Sequence, residues 1–75
     1  MTAVDVVFRY GMPPNELELK AVNALREVYG IRKVSFEEAE STVRVEYDAT
    51  RLNEDTVAAL LRRTGLDLRD RVQLV

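Results

Sequence analysis

The apolar residues of this chain recur at two spacings, and the order in which the spacings alternate limits the chain to very few folds. Val4, Val6, Phe8 and Tyr10 alternate with Asp5, Val7 and Arg9, the period-two pattern of a half-buried strand over Val4–Tyr10. Gly11, Pro13 and Pro14 break that pattern. Leu17, Ala21, Ala24, Leu25 and Val28 then return at three- and four-residue steps, the apolar stripe of a helix. Its start carries two overlapping signals: Pro14 suits a first helical turn, and Asn15 with Glu18 forms a capping pair. Gly30 is expected to stop it as a left-handed cap.

Period two resumes in Ile31–Glu37 through Val34 and Phe36, and Glu37–Ser41 turns the chain. Val43, Val45 and Tyr47 alternate with Arg44, Glu46 and Asp48 in a third strand. Asn53 caps a second helix, with Glu54 and Asp55 against the positive end of its dipole. Val57, Leu60 and Leu61 form its buried stripe, Arg62 and Arg63 its last turn, and Gly65 its end. The remaining segment, Leu66–Val75, holds a fourth strand around Leu68–Leu74, where Asp70 interrupts the pattern and predicts a bulge or a late start.

The order is β-α-β-β-α-β with short connections, so residues 1–75 read as a single domain. Two amphipathic helices cover one face of a four-stranded antiparallel sheet, and right-handed crossovers then select an α+β ferredoxin-like sandwich. Composition narrows the chemistry. The chain has no Cys, His or Trp, which removes disulfides, thiolate nucleophiles, Ser–His dyads and zinc sites built on Cys or His. A net charge of −2 argues against the concentrated positive face that nucleic acid requires. No apolar run has transmembrane length and MTAVDVV lacks the layout of a signal peptide, so no membrane insertion and a cytoplasmic location are the expectation.

From Gly11 onward the chain carries a second series of signals. Gly11-Met12 is followed by Ala21, Ala24-Leu25, Gly30-Ile31, Val34, Val43, Val45, Tyr47-Asp48 and Gly65-Leu66. This series resembles the heavy-metal-associated domain, the module of copper chaperones and of the N-terminal tails of copper-exporting ATPases. That family's pattern runs Gly-Met-x-Cys-x-x-Cys, an apolar position, Ala-Leu, Gly-Val, a β-hairpin, Tyr-Asp-Pro and a closing helix ending in Gly plus an aromatic. The correspondence needs no gap from Gly11 to about Leu68. Where the family places its two metal-binding cysteines, this chain has Pro14 and Leu17; Ala49 replaces the usual Pro and Leu66 the usual aromatic. The resemblance implies the fold. It does not imply metal transfer, because Cu(I) is held by soft thiolates, and a prolyl ring and an isobutyl group offer no lone pair.

Five candidate sites follow. The family's docking tip corresponds to Met12, Pro13, Pro14 and Leu17, with Leu66 as a neighbour at the same end of the fold. If exposed, these side chains form a small apolar patch suited to a protein partner; alternatively Met12 and Leu17 turn inward and complete the core. Metal binding through Met12 with Glu16 or Glu18 is disfavoured by mismatched softness and too few donors. Glu37, Glu38 and Glu40 lack the ligand number and Gly of a calcium loop and read as a solvated turn. The open sheet face is expected to present Asp5, Val7, Arg9, Lys33, Ser35, Arg44 and Glu46, with Arg69 and Arg71, while all five aromatics fall on core positions or at a helix end. RNA-binding domains of this topology need aromatics on that face, so no nucleic-acid partner is expected. For catalysis, Ser35 and Ser41 lack a base, and Gly11-Met12-Pro13-Pro14 offers few backbone N–H groups to cradle an anion.

The expected function is a non-catalytic interaction or accessory module, without cofactor, that retains the family's docking surface after loss of its thiolates. Linkage to metal transport is what the resemblance implies. The alternatives are a ligand-sensing or oligomerising domain that pairs through a sheet edge, and a metal carrier with non-thiolate ligands.

Overall fold

The two strands with the cleanest alternation form the centre of the sheet. A computed structural model describes residues 2–72. It contains β1 (Ala3–Tyr10), α1 (Glu16–Ala24), a 3₁₀ turn (Leu25–Glu27), β2 (Ile31–Glu37), a second 3₁₀ turn (Glu38–Glu40), β3 (Thr42–Asp48), α2 (Glu54–Arg63) and β4 (Leu68–Val72). The strands form one antiparallel sheet in the order β2-β3-β1-β4, the α+β ferredoxin-like arrangement. In the central pair Val4 lies opposite Tyr47, Val6 opposite Val45 and Phe8 opposite Val43. These side chains share one face and are covered by Val22 of α1 and by Val57, Ala58 and Leu61 of α2. Leu74 and the rest of 73–75 lie outside the described residues.

Both edge strands carry a register shift, β2 between Ile31 and Lys33 and β4 opposite the interval from Phe8 to Tyr10. Each shift is a bulge that adds a residue to one strand, so residues an odd number apart share a face. Ile31 and Val34 are therefore both buried. In β4, Leu68 and Arg71 both pair on the core side, opposite Tyr10 and Phe8.

Helix α1 differs from its expected form. Asn15 is the cap: its Oδ1 accepts from Glu18 N–H at 2.8 Å, and Glu18 Oε1 accepts from Asn15 N–H at 2.9 Å, a reciprocal capping box. Pro14 stays outside the helix. Val22 is the one buried residue of α1, and Leu17 and Ala24 point outward. The inner stripe runs through Glu18, Ala21, Val22 and Leu25, one position later than the apolar spacing indicates. The chain leaves the α-helix at Leu25, and the 3₁₀ turn brings Leu25 and Val28 against the core. Gly30 accordingly does not cap α1. It occupies the third position of the turn closed by Ile31 N–H to Val28 O at 3.0 Å, where φ is +103°.

Helix α2 matches its reading. Asn53 Oδ1 accepts from Thr56 N–H at 2.8 Å, and Ala58 joins Val57 and Leu61 in the buried stripe while Leu60 is half-buried. Between β3 and α2, Asp48 is buried and its Oδ1 accepts from Thr50 Oγ1 at 2.7 Å and Thr50 N–H at 3.0 Å. Those bonds, the hydroxyl first, hold the Asp48 carboxyl below the ordinary carboxylate range, with Arg51 adding a smaller favourable charge.

Two outcomes follow for stability. Leu61 is fully buried, so Leu61→Ala is expected to cost about 2–5 kcal/mol in urea unfolding. Because the folded pKa of Asp48 is depressed, its contribution is present above the unfolded value of about 3.9 and is lost as pH falls through the lower folded value. Asp48→Asn should therefore flatten the loss of stability between neutral pH and about pH 3, measured by urea midpoints across that range.

Candidate functional site

The loop between β1 and α1 is tied down by one residue from the far end of the chain. Gly11 N–H donates to the Asp67 carbonyl at 2.9 Å, and Met12 N–H donates to Asp67 Oδ2 at 3.1 Å. Arg69 Nη2 holds the same carboxylate oxygen at 3.0 Å. A Cβ at position 11 would run into the Asp67 carboxylate and come within 2.6 Å of Arg69 Nε, so any larger residue here displaces the ends of those two side chains and disturbs the Asp67 anchor. On the other side of the loop, the Asn15–Glu18 capping box fixes where α1 begins.

With both ends held, the loop projects its side chains outward. Met12 is 72% exposed and Leu17 is 77% exposed. Pro13 is exposed and Pro14 half-buried in the loop, and Leu17 lies in the first turn of α1, so the apolar tip spans the loop and the start of the helix. Of the two readings open for Met12 and Leu17, the exposed one holds. Leu66 behaves differently: it lies at the same end but is buried in the core, because Gly65, at φ +94°, turns it back onto the sheet. It is not a surface neighbour of the tip. Asp67 was not evident as the anchor in the sequence, since its partners lie more than fifty residues away and no local pattern marks it.

The donors at the tip do not fit Cu(I). Pro14 and Leu17 carry no lone pair, and Met12 offers one thioether. Glu18 is engaged in the capping box. Among the described residues no group of three or more His, Cys, Asp or Glu is placed to hold a metal ion. Anion binding is equally poorly served, because the amides of Gly11 and Met12 are taken by Asp67 and the two prolines have none. Tyr10, at the base of the loop, has its phenol pushed up by burial, with Glu38 and Glu37 adding to the shift, so it stays protonated through the neutral range.

The uncovered sheet face is a shallow concavity of about 620 Å³ lined in part by Asp5, Val7, Arg9, Lys33, Arg44 and Glu46. Its charges pair across strands: Arg9 Nη1 with Asp70 Oδ2 at 3.3 Å, Arg44 Nη1 with Asp5 Oδ2 at 3.9 Å, and Arg32 Nε with Glu46 Oε1 at 3.8 Å. Val7 is buried even on this face. Arg69 and Arg71 depart from their expected positions. The β4 bulge sends Arg71 to the helix side, where it meets Glu54 at 3.0 Å, and Arg69 turns to Asp67; Val72 lines the open face instead. Phe8, Tyr10 and Tyr47 are buried, and Phe36 packs edge-on against Tyr10 with centroids 5.8 Å apart. Tyr29 is exposed beside α1's exit, under the Arg51 guanidinium at 4.2 Å.

The chain is similar in fold to the yeast copper transporter domain Ccc2a, solved in solution in its apo and Cu(I)-loaded states. The two superpose with a TM-score of 0.72 at 17% identity, over 92% of this chain and 94% of that one. At that identity the likeness is one of fold. No family model matches the chain, and no curated protein matches its sequence. Among the described residues no helix is long and apolar enough to cross a membrane.

Because Leu17 lies outside the core, Leu17→Asp is expected to change the unfolding free energy by no more than about 0.5 kcal/mol. Urea unfolding checks this, and a loss on the scale expected for a buried leucine would place Leu17 in the core.

Proposed function

We propose that this chain is a non-catalytic interaction module of heavy-metal-associated type, which docks on a protein partner through Met12, Pro13, Pro14 and Leu17 and does not carry metal by thiolates. The observation that carries the reading is the pair of large apolar side chains Met12, on the loop anchored by Asp67, and Leu17, in the first turn of α1, held out at 72% and 77% exposure. Leu17 stands where the resembled family has its second cysteine, so a ligand position has become an apolar contact position. Exposed apolar groups rimmed by polar ones suit a protein contact.

The likeness in fold to a copper transporter domain supports a setting beside metal transport. A cytoplasmic location accords with that setting. The neighbour is a transport domain, not an enzyme, and the tip of this chain presents neither a nucleophile nor an anion cradle. The reading therefore assigns no catalytic residue.

An anaerobic ¹⁵N-HSQC titration with Cu(I), then with Zn²⁺, tests the loss of metal handling. The expected result is no saturable shift at the amides around Met12 and Glu16. Saturable shifts confined to those amides would contradict the proposal and restore the carrier reading.

A further inference from the structure

Strand β2 is an edge strand, and the hydrogen bonding of the sheet shows which of its backbone groups face away from β3. Tyr10 N–H donates to Ser41 O, and Ala49 N–H donates to Thr2 O, so odd-numbered residues of β3 direct their backbone groups to β1. Asp48 N–H donates to Gly30 O, so the even-numbered ones direct theirs to β2. With Lys33 opposite Glu46 and Ser35 opposite Arg44, Lys33 and Ser35 bond to β3, and Val34 and Phe36 turn their N–H and C=O groups outward. Such a row is a template for another strand. Around a two-fold axis at Ser35, Val34 of one copy would exchange hydrogen bonds with Phe36 of the other.

One side chain intervenes. Arg26, in the 3₁₀ turn that ends α1, reaches across to the edge, and its Nη2 donates to the Val34 carbonyl at 3.0 Å. Val34 is the middle residue of β2, inside the stretch that the Arg32 bulge leaves regular. In the symmetric pairing both copies of this carbonyl are needed, and both are already engaged.

We propose that Arg26 keeps the β2 edge closed and the chain monomeric, and that the edge it covers is a latent pairing site for the β2 strand of a second copy. The guanidinium suits this task because it satisfies the carbonyl with a charge-assisted bond while leaving a cation at the edge, which a second identical edge repels. The bulge blunts the start of the strand; Arg26 blunts its centre.

Sedimentation velocity over a wide concentration range, with amide hydrogen exchange, tests this on the wild type, Arg26→Met and Arg26→Gln. Arg26→Met keeps the aliphatic stem and removes the donors. The wild type is expected at 8.6 kDa, and Arg26→Met at about twice that mass, with the Val34 and Phe36 amides newly protected. Arg26→Gln is expected to associate more weakly in the same way. A monomeric Arg26→Met with a native spectrum would overturn the proposal, as would a wild-type dimer or a variant dimer without protection at Val34 and Phe36. Loss of the native spectrum in both variants would overturn it too, since a guard at an exposed position is dispensable for folding.

Discussion

Everything in this domain is built on the ladder between β1 and β3. That central pair supplies Val6, Phe8, Val43, Val45 and Tyr47 to one face, and both helices reach the core only by covering them. A chain of 75 residues has little apolar area to spare. The helices are accordingly short, and α1 commits Val22 alone fully to the core before tightening into the turn that seats Leu25 and Val28. The other face of the ladder is left to paired charges, which contribute little to stability individually but keep the surface wet.

The same ladder ends at Gly11, and there the fold changes from packing to presentation. Asp67 meets Gly11 and Met12 through its carbonyl and its carboxylate, and the capping box sets the first turn of α1. The loop between these two fixtures is short and contains two prolines, so the backbone that carries Met12 is constrained, while Leu17 follows on the first turn of α1. In a domain with cysteines at positions 14 and 17, this geometry would present sulfur. Here it presents hydrocarbon, which can be recognised by shape and desolvation and cannot be recognised by coordination.

The elements visible in the sequence were those specified locally. The alternation of Val43, Val45 and Tyr47, the Asn53 cap with its acidic first turn, and the break at Gly11-Met12-Pro13 each depend on neighbours in the chain, and each was realised. What was obscured depended on distant partners. The β2 and β4 bulges alter which residues share a face, and Arg71 moved to the helix side because β4 must follow β1 and not its own alternation. The apolar spacing of α1 points to the wrong phase because Leu17, though apolar, is exposed, and the burial of Leu66 is not legible because no local feature shows that Gly65 turns it inward. At the site, the exposed tip was legible as a departure from a family pattern. Its anchor, Asp67, was not, since a contact across the whole chain leaves no periodic trace.

The most direct test of the docking account is site-specific photo-crosslinking from position 17, compared with position 33 on the open sheet face, in the cell that makes the protein. The account predicts a discrete adduct with one protein from position 17, absent from position 33 and lost when Met12 is replaced by Asp. Adducts from position 33 alone, or none from position 17 at levels where the domain is folded and abundant, would contradict it.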